Sequence, residues 1–281
     1  MIDSQIETYL QQKNITFDST VIQSIESKRV SAIEEQNEHK ANYFWCLRQI
    51  YKIQKNFVLA FDNLANEKYE DAWNLFDIVD IELGYLEQNY NTQDEYDRFH
   101  LLFIGKMIKE YQKLFPYHYF LSREAIVKEE KCNICGRIAS IRNPCEHIPG
   151  KIYMGKLCLR EITDLEFKAF AIVTDPFDKY TILKMDNKEY NYGMLKYLLE
   201  IIHSPYDEFH VKTEKIKKEE FKGLRRNEQC PCGSGKKYKR CHLGKEDEMI
   251  NHYIICVDKN CLQLANRVKP NEIKIFNTWE N

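Results

Sequence analysis

The sequence predicts an α+β protein: a mainly α-helical N-terminal domain, a central α+β region with a β-hairpin, and a small C-terminal module. Three observations predict it. Residues 1–115 contain no proline and only Gly84 and Gly105, whereas eight of the ten glycines lie beyond position 130. Apolar residues recur three or four apart through the first part, the period of one helix face. Cysteine and histidine gather in two clusters in the second part, at 132–158 and at 230–242. The expected domains are 1–120, 121–210 and 211–281.

The helical part rests on three stripes. Phe44, Leu47, Tyr51, Phe57, Phe61 and Leu64 form the first, and Trp73, Phe76, Val79, Leu83 and Leu86 the second. Tyr96, Phe99, Phe103, Met107, Tyr111 and Leu114 form the third. Each needs a partner to bury it, so three to five helices pack as a bundle with breaks near 65–69 and 90–94. Beyond Pro116, FKAFAIVTDPFDKYTILKM (167–185) is rich in β-branched and aromatic residues and split by Asp-Pro-Phe-Asp, which reads as a β-hairpin. YGMLKYLLEIIHSPYDEF returns to helical spacing. KTEKIKKEEFKGLRRNEQ reads as an exposed helix or linker, and EMINHYIICV and NEIKIFNTW as short strands.

With 43% hydrophobic and 13% aromatic residues the chain builds a core and is not a disordered polymer. No run of eighteen apolar residues suggests a membrane span, and the start, MIDSQIETYLQQKN, lacks the features of a secretory signal. A cytoplasmic location follows as the expectation. There thiols stay reduced, so ten cysteines read as metal ligands before disulfides. The net charge of −2 conceals an asymmetry. Lys212–Lys245 holds twelve bases and four acids, hence +8; Glu67–Arg98 holds ten acids and two bases, hence −8. The basic segment is expected to meet an anion such as a nucleic-acid backbone.

CNICGRIASIRNPCEHIPGKIYMGKLC supplies Cys132, Cys135, Cys145, His147 and Cys158. The C-x2-C pair followed by Gly136 suits a zinc knuckle, in which a tight turn points two thiolates at one ion. Cys145 with His147, or His147 with Cys158, would complete a tetrahedron, and the spacing leaves the choice open. This gives the centre its zinc-finger-like character. Glu146-His147-Ile148-Pro149 also loosely resembles HNH-type endonucleases, so a metal-dependent nuclease or toxin-like effector centred on 132–158 is the alternative to a binding protein. No second histidine follows before His203, no Ser-His-Asp set is evident, and no G-x4-GK[ST] phosphate loop exists. A binding protein is the reading before an enzyme.

The second cluster has the form C-x-C-x8-C-H: Cys230, Cys232, Cys241 and His242. Ligands one residue apart converge only if the backbone bends sharply. Pro231 stiffens that bend, and Gly233 and Gly235 permit unusual φ. Four ligands leave no open position for water, and so small a peptide takes its folding energy from the metal. Lys236, Lys237, Lys239 and Arg240 lie between the ligand pairs and point outward, while Tyr238 reads as a cover for the metal. Cys46, Cys256 and Cys261 read as ordinary buried thiols, and His100 and His118 as packing or surface residues.

NEQCPCGSGKKYKRCH resembles the SEC-C motif, the zinc module at the C-terminus of the bacterial preprotein translocase motor. Cys230, Cys232, Gly233, Ser234, Gly235, Tyr238, Cys241 and His242 carry the resemblance. It implies that Cys230, Cys232, Cys241 and His242 ligate zinc, and it admits iron. It also implies a docking role, since in the translocase motor the module meets a chaperone and the ribosome. Leu243 stands where members often have the glycine. With the central cluster, two zinc ions are expected. The leading function is a zinc-binding interaction protein whose 212–245 segment docks on a ribosome, nucleic acid or acidic protein.

Overall fold

The computed structural model describes residues 3–90, 97–142, 144–184 and 188–257. They divide into two compact units, one up to Asp207 and one from Glu208. The first begins with five helices: α1 (Asp3–Leu10), α2 (Ser19–Glu34), α3 (Glu38–Ala65), α4 (Tyr69–Glu87) and α5 (Leu101–Gln112). Asp18 starts α2 by accepting the Thr20 N–H, and Asn37 starts α3 by accepting that of Lys40, each meeting an otherwise unpaired donor. The stripe on α3 is buried along its length, and Trp73, Phe76, Val79, Leu83 and Leu86 of α4 are buried with it. Of the third stripe, Tyr96 lies outside the described residues, Phe103 is half-buried, and Phe99, Met107, Tyr111 and Leu114 are buried. Phe76 stacks on Tyr111 with centroids 5.0 Å apart, joining α4 to α5. Fully buried Gln54 donates to the Leu10 and Phe99 carbonyls at 2.7 and 2.9 Å, fixing the end of α1 and the approach to α5.

The remainder of this unit contains β1 (Phe120–Cys132), β2 (Ile152–Tyr153), β3 (Lys156–Leu157), β4 (Arg160–Val173) and α6 (Gly193–Leu199). β1 pairs with β4 antiparallel, from Phe120–Val173 to Cys132–Arg160, with three register shifts. The central hairpin is therefore built from 120–132 and 160–173, not from 167–185 alone. Asp-Pro-Phe-Asp ends β4, and the residues after it turn back to the base of β1, where Ile182 bridges Phe120 and Thr181 accepts the Leu121 N–H. The β-branched and aromatic composition marked strand at 167–173; the partner lies far away in sequence, which local composition does not encode. Lys179 and Tyr192 bring the chain back to the helices. Trp73 Nε1 donates to the Lys179 carbonyl at 2.7 Å, and Tyr192 stacks on Tyr69 at 3.9 Å.

The second unit holds β5 (His210–Lys217) and β6 (Met249–Cys256), paired antiparallel, with the C-x-C-x8-C-H segment between them. The lysine-rich stretch is thus a strand over 210–217 followed by a single helical turn at Glu219–Phe221, in place of the expected helix or linker. Its exposed positions are Thr213, Lys215 and Lys217, and Lys212 and Glu214 are half-buried, so polar residues on both faces mask the strand period; Val211 is its buried side chain. EMINHYIICV forms β6. NEIKIFNTW and Cys261 lie outside the described residues, and Cys256 is buried, as is Cys46 on α3. His118 is exposed, and half-buried His100 bonds the Gln11 carbonyl through its ring. Among the described residues no helix is long and apolar enough to cross a membrane.

Candidate metal centres

The first centre is assembled at the end of the β1–β4 ribbon. Cys132 closes β1, and the chain turns at once: Gly136 N–H returns to the Cys132 carbonyl at 2.8 Å, with Gly136 at φ +70°. That left-handed residue lets Cys135 face the same point as Cys132. Cys158 arrives from the β2–β3 hairpin, whose turn at Met154–Gly155 has positive φ at both residues, the twist that tight hairpins need. Asn133 clamps the two arms: its N–H donates to the Leu159 carbonyl, its side-chain Oδ1 accepts the Leu159 N–H, and its Nδ2 donates to the Leu157 carbonyl. The hairpin is held on the helices: Asn42 of α3 bonds Ile152 and Gly155, Asn89 bonds Gly150 and Ile152, and Arg29 of α2 reaches the Gly155 carbonyl.

These constraints gather all five candidate residues. One donor atom each of Cys132, Cys135, Cys145 and His147 lies within 4.8 Å of the others. Cys158 Sγ is 3.8 Å from Cys132 Sγ. A tetrahedral ion with Zn–S of about 2.3 Å has S···S edges of about 3.8 Å, so the separation suits shared coordination. Nδ1 of His147 is buried without a hydrogen-bond partner, as a nitrogen awaiting a ligand bond would be. Cys132, Cys135, Cys145 and His147 make up the group that could hold one ion, while Cys158 flanks it beside Cys132; His147 belongs to both of the expected completing pairs.

Electrostatics favour a cation here. Burial raises the Cys132 thiol, but the N–H groups of Cys135 and Ile134 and the neighbouring thiols outweigh it and hold Cys132 at about 6. Cys158 is pushed up to about 11 by burial and by the Cys132 thiolate. The Arg160 guanidinium, 3.2 Å away, lowers Cys145. Crowded thiolates oppose one another's ionisation until a divalent ion removes the conflict.

The second centre is more local. Cys230 N–H bonds the Lys236 carbonyl at 2.9 Å, and Tyr238 and Lys239 bond back to Glu228 and Arg226. This small loop needs Gly233 at φ +79° and Gly235 at +68°. A single helical turn at Tyr238–Arg240 then delivers Cys241 and His242. Cys230 Sγ lies 3.2 Å from His242 Nδ1, and Cys232 Sγ 3.4 Å from Cys241 Sγ. All four donors lie within 4.8 Å of one another. These separations are close to the roughly 3.5–3.8 Å edges of a tetrahedral site with sulfur and nitrogen ligands. The Ser234 hydroxyl and N–H hold Cys232 down at about 6.

Tyr238 is fully buried and stacks on Phe221 with planes 10° apart; with Cys230 they form the core of the knuckle. Its hydroxyl donates to Glu248, which also receives Lys217 and the Gly244 N–H. The cover expected of Tyr238 is thus also a tether from the knuckle to β5 and β6. Ser234 was named in the sequence only as part of the motif, without a role, and Phe221 and Glu248 were not singled out. Ser234 sat visibly between two motif glycines, whereas Phe221 and Glu248 lie outside the ligand segment and carry no spacing signal.

The SEC-C motif family matches residues 226–244. Similar proteins are protein translocase subunits SecA. That of Chloroflexus aggregans is 37% identical over 62 residues, 22% of this chain and 6% of its own. That of Chloroflexus aurantiacus strain J-10-fl is 75% identical over 26 residues, 9% of this chain and 3% of its own. That of Clostridium botulinum strain Hall is 64% identical over 36 residues, 13% of this chain and 4% of its own. The chain therefore spans only a small fraction of the length of these relatives. No solved structure matches. The likeness is confined to the knuckle whose geometry has just been described: residues 226–244 are a SEC-C motif.

Proposed function

We propose that the chain is a zinc-binding interaction protein whose SEC-C knuckle docks, through its basic surface, on the phosphate backbone of a nucleic acid, ribosomal RNA included. One observation carries the reading. Arg225, Arg226, Lys236, Lys237, Lys239 and Arg240 are exposed around the four ligands, and among the described residues none of them is in an ion pair. Of the five lysines at 212–222, four are by contrast spoken for, Lys212 by Glu214, Lys215 by Glu246, Lys217 by Glu248 and Lys222 by Glu219. The positive charge available to a partner is thus concentrated at the knuckle, where the metal fixes the backbone that carries it. The docking role implied by the SEC-C resemblance supports the same reading. Two zinc ions, one per centre, are part of the proposal, and a cytoplasmic setting suits reduced thiolates.

Binding to generic RNA, measured across salt with an acidic polypeptide as comparison, tests it. If Lys236, Lys237, Lys239 and Arg240 each meet a phosphate, affinity falls about a hundredfold for a roughly fourfold rise in salt. Replacing all four by Ala should abolish that dependence with the metal retained. Salt-independent binding contradicts the reading, and preference for the polypeptide redirects it to an acidic protein. The same preparations address a nuclease centred on the 132–158 cluster: cleavage lost in His147→Ala with fold and metal intact would favour it.

A further inference from the structure

The β1–β4 ribbon exposes an apolar face. Val127, Ile162, Leu165, Phe167, Phe170 and Ile172 are 46–63% exposed, and the rings of Phe167 and Phe170 lie 4.7 Å apart. Cross-strand partners share a face, which places Val127 with Leu165 and carries the stripe past the register shifts. The opposite face, where Ile126 also stands, satisfies itself: Lys128 pairs with Glu166 at 3.0 Å, and Thr163 donates to Glu129 at 2.7 Å. Apart from isolated bridges at its two ends, Phe120 with Ile182 and Lys131 with Ile138, no third strand lies beside the ribbon among the described residues. A two-stranded ribbon is marginal in water without a covered apolar face. An apolar patch larger than a few hundred Å² marks an interaction surface.

We infer that this face pairs with the same face of a second copy of the chain, closing a two-fold dimer. The charge pattern selects that occupant. Arg123, opposite Phe170, and Glu130, opposite Ile162, stand toward the two ends of the stripe, about equally far from its middle. Arg123 is 55% exposed although Asp178 and Tyr180 bond it, and Glu130 is 38% exposed although Arg160 lies 4.0 Å away. A two-fold axis in the interface, running across the strands near Ile126, sets Arg123 of one copy over Glu130 of the partner subunit, and the reverse. It also packs the aromatic stripes together. Such self-complementarity is what an isologous interface requires. The six apolar side chains expose together roughly 600 Å², so a face-to-face pair buries about 1,200 Å², the lower limit of a specific interface.

Sedimentation of the metal-loaded full chain tests this. A dimer at micromolar concentration is expected. Leu165→Glu with Phe170→Glu should give a monomer with unchanged helicity and metal content. Glu130→Arg should weaken the dimer by about tenfold, and Arg123→Glu added to it should restore the affinity. A wild-type monomer overturns the inference, whether the face is bare, covered by residues 258–281 or held by a different protein. A dimer indifferent to the Leu165 and Phe170 changes overturns it equally.

Discussion

Ser234 stands between two thiols of the second centre, its hydroxyl 3.2 Å from Cys232 Sγ and 3.2 Å from Cys241 Sγ. It orients both sulfurs before any ion arrives, as outer groups do around metal sites. Ser234→Ala should leave the knuckle able to bind zinc but weaken it by about 10- to 100-fold, measured by competition with a chelator. Glu248 acts at the same scale. Lys217 first, then the Tyr238 hydroxyl, hold its carboxyl down at about 2. A carboxylate lowered by folding stabilises fully above its unfolded value of 4.5 and loses that contribution as pH falls toward about 2. Glu248→Gln should therefore lower the melting temperature of the second unit by the same amount at every pH from 5 to 8, values that bracket neutral stability. A difference that grows with pH across that range would contradict this assignment.

At the scale of elements, the helices and the ribbon differ in how far they could be read beforehand. The stripe from Phe44 to Leu64 encodes both an element and its buried face, because the helix period is local. The partner of β4 is forty residues away along the chain, with both metal-ligand arms between them, and no local pattern names it. The two groups of candidate ligands were legible because thiols at such spacings have few other uses outside disulfides. The choice between Cys145 and Cys158 beside His147 was not, since it depends on how Asn133, Asn42 and Asn89 place the hairpin. Gly155 makes that dependence measurable. It sits at φ +68°, and an added Cβ would lie 3.2 Å from the Ala41 carbonyl oxygen. Gly155→Ala should cost roughly 1–2 kcal/mol and loosen the first centre while sparing the second. Gln54→Ala, which strips the Leu10 and Phe99 carbonyls of their donor, should cost about 1–3 kcal/mol in the helical unit without touching either metal. Thermal unfolding with metal analysis separates the two outcomes.

At the scale of the whole molecule, two compact units each contain one cluster of thiols and imidazole, and their dependence on metal differs. The first unit has a helical core of its own, so loss of its ion should loosen the ribbon base and leave the helices. The second has the core of Phe221, Cys230 and Tyr238 and little else around its candidate ligands, so an ion held there would supply most of the knuckle's folding energy. Cys232→Ser should then unfold the second unit alone, with far-UV helicity nearly intact. Metal content of the purified chain, determined together with its fold, is the most direct test that metal ions shape both units. Two zinc ions per chain, falling to one in Cys232→Ser, is the expected result; a fully folded chain free of metal would contradict it.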